Sequence, residues 1–447
     1  MYLADYHMHS KYSFDGSEEL DTICQMAIRR GLSEIAITDH MDIYTGLPYD
    51  EQMNFEVPGG EQYHMDVSGL YAGLVQMKEK YAGQLKVRIG AELGQPQVNP
   101  EAAELFMKDY GDVLDFSVNV NPYGPSEEVL EAAKRSMDEV SLYPDSQCRR
   151  LRKRLAEKKS LPEEYFLFGN GAAELFFSVV LAEKPKKALL PIPAFAEYEQ
   201  ALRTVDCEII YHELKRENNF ALTESFLEEL TEDIDLVFLC SPSNPSGQVI
   251  EPKLMKQILT RCEEKKIRLV LDECFIEFLE EAQKYTMVKK VTDHVCLFLV
   301  QAFTKMYGIP GLRLGYAMTS DGELKEKMQQ IRQPWSVSVP AQAAGIEALT
   351  EREEQRVQKI RNKIVEEKMR MEKKMREFGI RFIPTKANFF LLYSEIPLFD
   401  RLLEQGILVR NCENYRGLKK GWYRIAVRTK EENDVLLRAL ETILSKQ

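Results

Sequence analysis

Four short apolar runs, each broken off by a turn, constrain the fold of this chain more than any other feature. They are Lys187–Pro191, Leu236–Cys240, Arg268–Leu271 and Cys296–Val300. Each is apolar nearly throughout instead of alternating, so each reads as a strand buried on both faces. A turn and then a segment with helical spacing follow every run, and strands separated by helices pair in parallel. The expected class is α/β. Further on, Val357, Ile360, Ile364, Met371, Met375 and Phe378 recur at helical spacing within the charged stretch 351–378. That stretch is expected to be one amphipathic helix with a solvated face, leading into a smaller C-terminal α/β unit.

Bulk composition narrows function by exclusion. The chain has 447 residues and a formal net charge of −12, with no dense basic stripe, so binding to nucleic acid has no electrostatic footing. No run approaches the roughly 18 apolar residues that a membrane span needs. The start, MYLADYHMHS, lacks the basic and apolar regions of a signal peptide. Eight cysteines are scattered without a C-x-x-C pair, which points to reduced thiols in a cytoplasmic protein, not to a disulfide framework or a zinc knuckle. The expected partner is a small-molecule substrate, with neither nucleic acid nor membrane involved.

Histidine and charge are unevenly spread. Four of the six histidines (His7, His9, His40, His64) fall in the first 100 residues, which carry 15 Asp/Glu against 7 Lys/Arg; the other 347 residues carry 56 against 52. The early stretch reads as strand Tyr2–His7, helix Ser17–Arg30, strand Glu34–Thr38, helix Ser68–Tyr81 and strand Leu85–Leu93. The Pro/Gly-containing polar segment 94–104 places a boundary near residue 98. His7 and His9 stand two apart at a strand end, so period-2 alternation puts both imidazoles on one face. Asp15 in SFDG, His40 in ITDH and Glu92 in GAEL follow. Strand carboxyl ends are where barrel-type sites sit.

These residues resemble the start of the PHP family of metal-dependent phosphoesterases, histidinol-phosphatase branch. The resemblance implies that His7, His9, Asp15, His40 and Glu92 are ligands of a divalent metal. The family's later histidine ligands have no counterpart, since the remaining histidines are His212 and His294. About 100 residues also supply only about three of a barrel's βα units. The segment 1–98 is thus expected to be a partial βα-barrel-like fragment with an incomplete, weakly binding metal site, an open sheet edge and no phosphatase activity. A metal-dependent phosphoesterase is the competing expectation.

Six features then fall in a fixed order: YPD (Tyr143–Asp145), GNGAAE (Gly169–Glu174), PAF (Pro193–Phe195), SPSNPSG (Ser241–Gly247), RLVLDE with Asp272, and FTK (Phe303–Lys305) followed by PGLRLGY (Pro310–Tyr316). All are expected at the carboxyl ends of strands, where open α/β sheets bind ligands. The glycine-rich turn before LFFSVVL opens a helix and offers free backbone N–H groups to a phosphate. Pyridoxal phosphate chemistry would use this whole set. A Lys amine bonds the cofactor and a carboxylate such as Asp272 pairs with its pyridine nitrogen. Phe195 would stack on the ring. Asn244 would bond the phenolic oxygen, and Thr304, Arg313 and the amides of Gly171, Ala172 and Ala173 would hold the phosphate.

From about residue 105 to 445 the chain resembles the fold-type I, class I/II aminotransferases, in the group of histidinol-phosphate aminotransferase and threonine-phosphate decarboxylase. The finer likeness rests on DFSVNVNPYGP, FTKMYGIPGLRLGY, RQPWSVS, KANFFLL, ILVRNCENYRGL and YRIAVRT. It implies a mixed, mostly parallel central sheet in a pyridoxal-phosphate-binding domain over 99–350, with an N-terminal arm at 105–140, and a small domain over 351–447. Lys305 would be the Schiff-base lysine and Asp272 the pyridine partner. Tyr143 would reach the cofactor phosphate of the other subunit of a homodimer. Arg424 would clamp the substrate carboxylate, Arg410 a second anion, and Asn121 would also bind substrate. Where the transaminase branch carries a Tyr hydroxyl, this chain has Phe275, as the decarboxylase-like sequences do. Their His-Gly-Gly before the DFS strand is absent. The expected reaction is decarboxylation of a small phosphorylated amino acid, and the alternative is transamination by a histidinol-phosphate aminotransferase.

Overall fold

A computed structural model describes residues 4–8, 18–37, 54–57, 61–64, 67–89 and 113–445. The chain divides into two compact units, residues 1–112 and 113–447.

In the first unit, β1 (Ala4–Met8), β2 (Glu34–Ile37), β3 (Asn54–Val57), β4 (Glu61–His64) and β5 (Lys86–Ile89) alternate with helices Leu20–Arg29 and Val67–Lys80. β2 lies between β1 and β5, parallel to both. Ile23, Cys24 and Ala27 of one helix and Leu74 and Met77 of the other pack with Ile35, Ile37 and Val87. Among the described residues β1 and β5 each pair on one side only, which leaves two open edges. The antiparallel β3–β4 hairpin was not expected from the pattern. Its signal was the sequence Pro58-Gly59-Gly60 between the two strands, a turn-forming composition. His7 lies on β1. His9, Asp15, His40, Glu92 and the boundary near 98 lie outside the described residues.

The second unit opens with the short β6 (Leu114–Asp115) and then β7 (Phe166–Asn170), β8 (Lys187–Ile192), β9 (Glu208–Glu213), β10 (Leu236–Cys240), β11 (Arg268–Asp272), β12 (Leu297–Ala302) and β13 (Leu314–Met318). Seven of these form one sheet in the order β7-β13-β12-β11-β10-β8-β9. The sheet is mixed and mostly parallel: β13 runs antiparallel to both its neighbours. Apolar side chains alternate between two cores. Leu269, Leu271, Leu297 and Leu299 enter one, and Val270, Phe298 and Val300 the other. That two-sided burial is why the strands are apolar throughout.

A 27-residue helix, Glu351–Glu377, follows. The Thr350 side chain accepts from the Glu353 amide and caps its start. Val357, Ile360, Ile364, Met371 and Met375 form its buried stripe. β14 (Arg381–Ile383), β15 (Phe389–Tyr393), β16 (Ile407–Leu408), β17 (Arg410–Asn411) and β18 (Trp422–Ala426) come next. An antiparallel sheet has the order β14-β15-β18-β17, while β16 pairs in parallel with β6. This pairing stitches residues 114–121 into the unit. The Ala426 amide donates to the Phe116 carbonyl at 2.8 Å, and the Asn121 amide to the Lys305 carbonyl at 3.0 Å.

Two sequence expectations about strand ends need correction. Tyr143 lies between the 3-10 turn Ser136–Glu139 and helix Arg149–Lys159, not at a strand end. Arg313 precedes β13, and it reaches the same sheet edge as the other motifs because β13 runs the opposite way. All eight cysteines are free. Among the described residues no helix is long and apolar enough to cross a membrane.

Candidate active site

The sheet edge at which β10, β11 and β12 end opens into a cavity of about 760 Å³. Asn119, Phe195, Asn244, Lys305, Arg410 and Arg424 are among the residues in its wall. Parallel register places these ends together. Cys240 is paired with Asp272 across β10–β11, and Asp272 with Val300 across β11–β12.

Asp272 is buried beneath this edge. Its Oδ2 accepts from the Tyr198 hydroxyl at 2.5 Å and its Oδ1 from the Cys274 amide at 2.8 Å. Burial pushes the carboxyl above the usual range, and the Cys274 and Tyr198 hydrogen bonds pull it back. Such a buried carboxyl is poised to pair with a cationic ring N–H. Phe195 meets Tyr198 edge-on, with ring centroids 5.6 Å apart.

The Lys305 amine lies 5.4 Å from the centre of the Phe275 ring. Burial drives its proton affinity down, as does the nearby Arg424 charge, while Cys274 and Asp272 raise it. A lysine shifted this way gives up its proton more readily and so becomes a nucleophile more easily.

The helix Gly171–Glu183 begins at Gly171, with no side chain capping its start. Gly171 has a φ of +77°, and a Cβ there would overlap the Arg313 guanidinium. Gly315 on β13 lets the same helix start come close: a Cβ on it would lie 2.5 Å from the Ala172 nitrogen. Free N–H groups at the helix start beside the Arg313 guanidinium would suit an anion, and Thr304 is buried.

Arg410 and Arg424 are direct partners across the antiparallel β17–β18 ladder, so their side chains share one face. Arg424 donates to the Asn244 Oδ1 and, at 2.9 Å, to the Ser117 carbonyl. Its Nε is buried without a partner. The Asn244 Oδ1 is thereby taken, and its NH2 end is the donor left for a ligand oxygen. Arg410 spends one donor on the Asn414 Oδ1 at 3.0 Å.

Asn121 is a correction. Its amide donates to the Met306 carbonyl at 3.0 Å and the Gly124 carbonyl at 3.1 Å, and its Oδ1 accepts from the Tyr123 amide. It holds backbone, and Ser117, Val118 and Asn119 line the cavity instead. Sequence reasoning also missed Tyr198, Glu197 and Tyr415. The available signal was position: Glu197 and Tyr198 come two and three residues after PAF, in the first turn of the next helix. Tyr143 is 80% exposed and lies against Trp335, ring centroids 4.6 Å apart.

The family model for class I and II aminotransferases matches residues 111–440. This chain belongs to that family. A PHP-domain model matches residues 5–161, and from Val113 on those residues fold with the aminotransferase unit. Among aminotransferase-family relatives, the threonine-phosphate decarboxylase of Salmonella typhimurium is 37% identical over 349 residues, covering 77% of this chain and 95% of that protein. Histidinol-phosphate aminotransferase 2 of Archaeoglobus fulgidus is 33% identical over 354 residues, 77% of this chain and 98% of that one. The solved histidinol-phosphate aminotransferase of Clostridium acetobutylicum superposes with a TM-score of 0.70 at 29% identity, covering 75% of this chain and 100% of its own.

Aminotransferases of this class depend on pyridoxal phosphate, and the residues present fit it. The cradle at Gly171 is open where a Cβ would block Arg313. The buried Arg424 Nε and Asn119 Oδ1 are left over inside or beside the cavity for ligands. Lys305, in the cavity wall, carries an amine that would hold the cofactor, and the buried Asp272 a carboxyl that would face its ring nitrogen.

Proposed function

We propose that this chain uses pyridoxal phosphate to decarboxylate a small phosphorylated amino acid, the activity for which its Salmonella typhimurium relative is named. The observation that carries this reading is the pairing of Arg410 with Arg424. Like charges directly opposite on a ladder repel, so the arrangement suits a ligand with two anionic ends. Arg424 takes the carboxylate and Arg410 the distal phosphate.

The cofactor supplies an electron sink when bound. Lys305 would hold it, Asp272 would keep its ring nitrogen protonated, Phe195 would stack on it, and the Gly171–Ala173 amides with Thr304 and Arg313 would take its phosphate. Lys305 Nζ, whose proton affinity burial lowers, then delivers a proton to the substrate carbon that has lost CO2. Phe275 sets a ring, not a hydroxyl, beside that amine.

The working form in this reading is a homodimer. Met137, Val140, Leu142 and Tyr143 form an exposed apolar run, with Trp335 against Tyr143. Such a patch fits an interface between copies. The free thiols fit a cytoplasmic setting. The segment of the PHP type is assigned no hydrolysis of phosphate esters; phosphatase activity in a purified 1–98 fragment would overturn that.

Incubation of the yellow holoprotein with threonine phosphate, without a keto acid, tests the main reading. Amine and CO2 are the expected products. Turnover only with 2-oxoglutarate would make the chain an aminotransferase, and a colourless protein would remove pyridoxal phosphate altogether.

A further inference from the structure

Glu197 is a carboxyl without a bound cation, among the described residues, in a cavity wall rich in cations. It sits in the first turn of the helix Ala196–Arg203. Two residues on, Glu199 is held by Arg416 through two contacts of 2.9 Å and by Arg203 at 2.6 Å. Glu197 has no such cation bound to it. Among the described residues its hydrogen-bond partner is its own backbone amide. It shares the cavity wall with Lys305 after β12, Arg410 on β17, and Glu413 and Arg416 on the following loop. Burial raises its carboxyl, which the Lys305 and Arg410 charges lower and Asp272 raises.

The cavity wall therefore brings spare donors of Arg410 together with the spare acceptors of Glu197, while the other carboxyl there, Glu413, is exposed. Arg410 has five N–H donors and uses one of them on Asn414. A carboxylate offers acceptors only. An oxyanion that meets both must accept from Arg410 and donate to Glu197. A phosphate monoester can do so, because its second pKa is about 6 and it keeps one O–H at little cost near neutral pH. A sulfate ester or a carboxylate has no such proton there, and its charge faces the Glu197 charge.

We propose that Glu197 is a specificity-determining residue, which makes the Arg410 end of the cavity select a singly protonated phosphate monoester over a sulfate ester or a second carboxylate. This rests on the reading that the substrate's distal anion lies at Arg410. No covalent step is involved. A single proton is shared between the phosphate oxygen and a Glu197 oxygen.

Anion titration of the full-length holoprotein, whose cofactor-phosphate cradle is filled, tests this without turnover. Binding of methyl phosphate and methyl sulfate, a monoester of each acid, is followed by calorimetry from pH 6 to 8. Wild type is expected to prefer phosphate by about tenfold or more and to lose up to about tenfold in phosphate affinity per pH unit above about 6, since one proton must be retained. Glu197→Gln can donate to a fully ionised oxyanion, so both the preference and the slope should fall toward zero. Glu197→Asp should keep the preference. A flat wild-type slope, equal binding of the two anions by wild type, or an unchanged preference in a folded Glu197→Gln would each overturn the proposal. Intact anion selectivity without decarboxylation of threonine phosphate would instead sink the reaction and leave the role of Glu197 standing.

Discussion

The phenol of Tyr198 donates to Asp272 at 2.5 Å, from three residues past the PAF motif and across 74 positions of sequence. Both Asp272 oxygens are therefore held, one by a side chain and one by the Cys274 amide. A hydrogen bond to an ionised group contributes about 1.5–3 kcal/mol. Tyr198→Phe should raise the proton affinity of Asp272 further and weaken its hold on the ring nitrogen. The expected result is a fall in kcat of about 10- to 100-fold, a shifted cofactor absorption band, and little change in KM. An unchanged kcat and spectrum would reduce the bond to a packing detail.

Lys305 makes stability depend on pH in a definite direction. Its amine is pushed below the ordinary 10.5 by burial. Between the lowered value and 10.5 the unfolded chain binds more protons than the folded one, so the cofactor-free protein gains stability as pH rises through that window. Lys305→Met should flatten this rise, as seen in Tm against pH for apoprotein. It should also give a colourless protein that borohydride leaves unmodified. A parallel pH profile for the two proteins would contradict the burial argument.

On the acid side the sign is opposite. Arg416 holds the Glu199 carboxyl at about 2, against an ordinary 4.5. Its contribution is present above about 4.5 and is lost as pH falls toward 2. Glu199→Gln should remove part of the acid-side slope of the unfolding curve. The same pair ties the loop of Tyr415 and Arg416 to the helix Ala196–Arg203 at the cavity wall. Arg416→Ala is thus expected to raise KM about fivefold, the effect of about 1 kcal/mol, with a smaller effect on kcat.

Gly308 is a backbone contact point with no room for a methyl group. Its φ is +70°, and a Cβ there would lie 2.6 Å from the Gly124 carbonyl carbon and 2.9 Å from the Pro125 nitrogen. Backbone on both sides cannot yield as a side chain would. Gly308→Ala should cost about 2–4 kcal/mol and weaken cofactor retention, because it pries the Gly124 turn from the lysine segment. Urea denaturation and cofactor release read the two effects. A variant with wild-type stability would show that this contact is soft.

The strands were legible because two-sided burial writes itself as uninterrupted apolar sequence. β10 spans the expected Leu236–Cys240, and the long helix the expected start at Glu351. β12 runs two residues further, to Ala302, because Gln301 and Ala302 continue the ladder onto β13. The direction of β13 was not legible, since LGYAM carries the same burial pattern in either orientation. The cavity motifs could be placed by their strand ends, but partner choice could not. Asn121 and Met306 are 185 positions apart, and nothing local says that the Asn121 amide serves that carbonyl instead of a substrate. Tyr198 was hidden for the same reason.

The stitching of residues 114–121 also bears on how this protein can be cut or joined. β6 starts at Leu114, and Ser117 already forms cavity wall. A chain severed at the division near residue 112 would place a new charged amino terminus a few residues from the carbonyl that Arg424 grips. Fraying of two or three residues there would be felt by the substrate carboxylate. The two-residue ladder of Leu114 and Asp115 with Ile407 and Leu408 is thus the anchor of the pocket's rim.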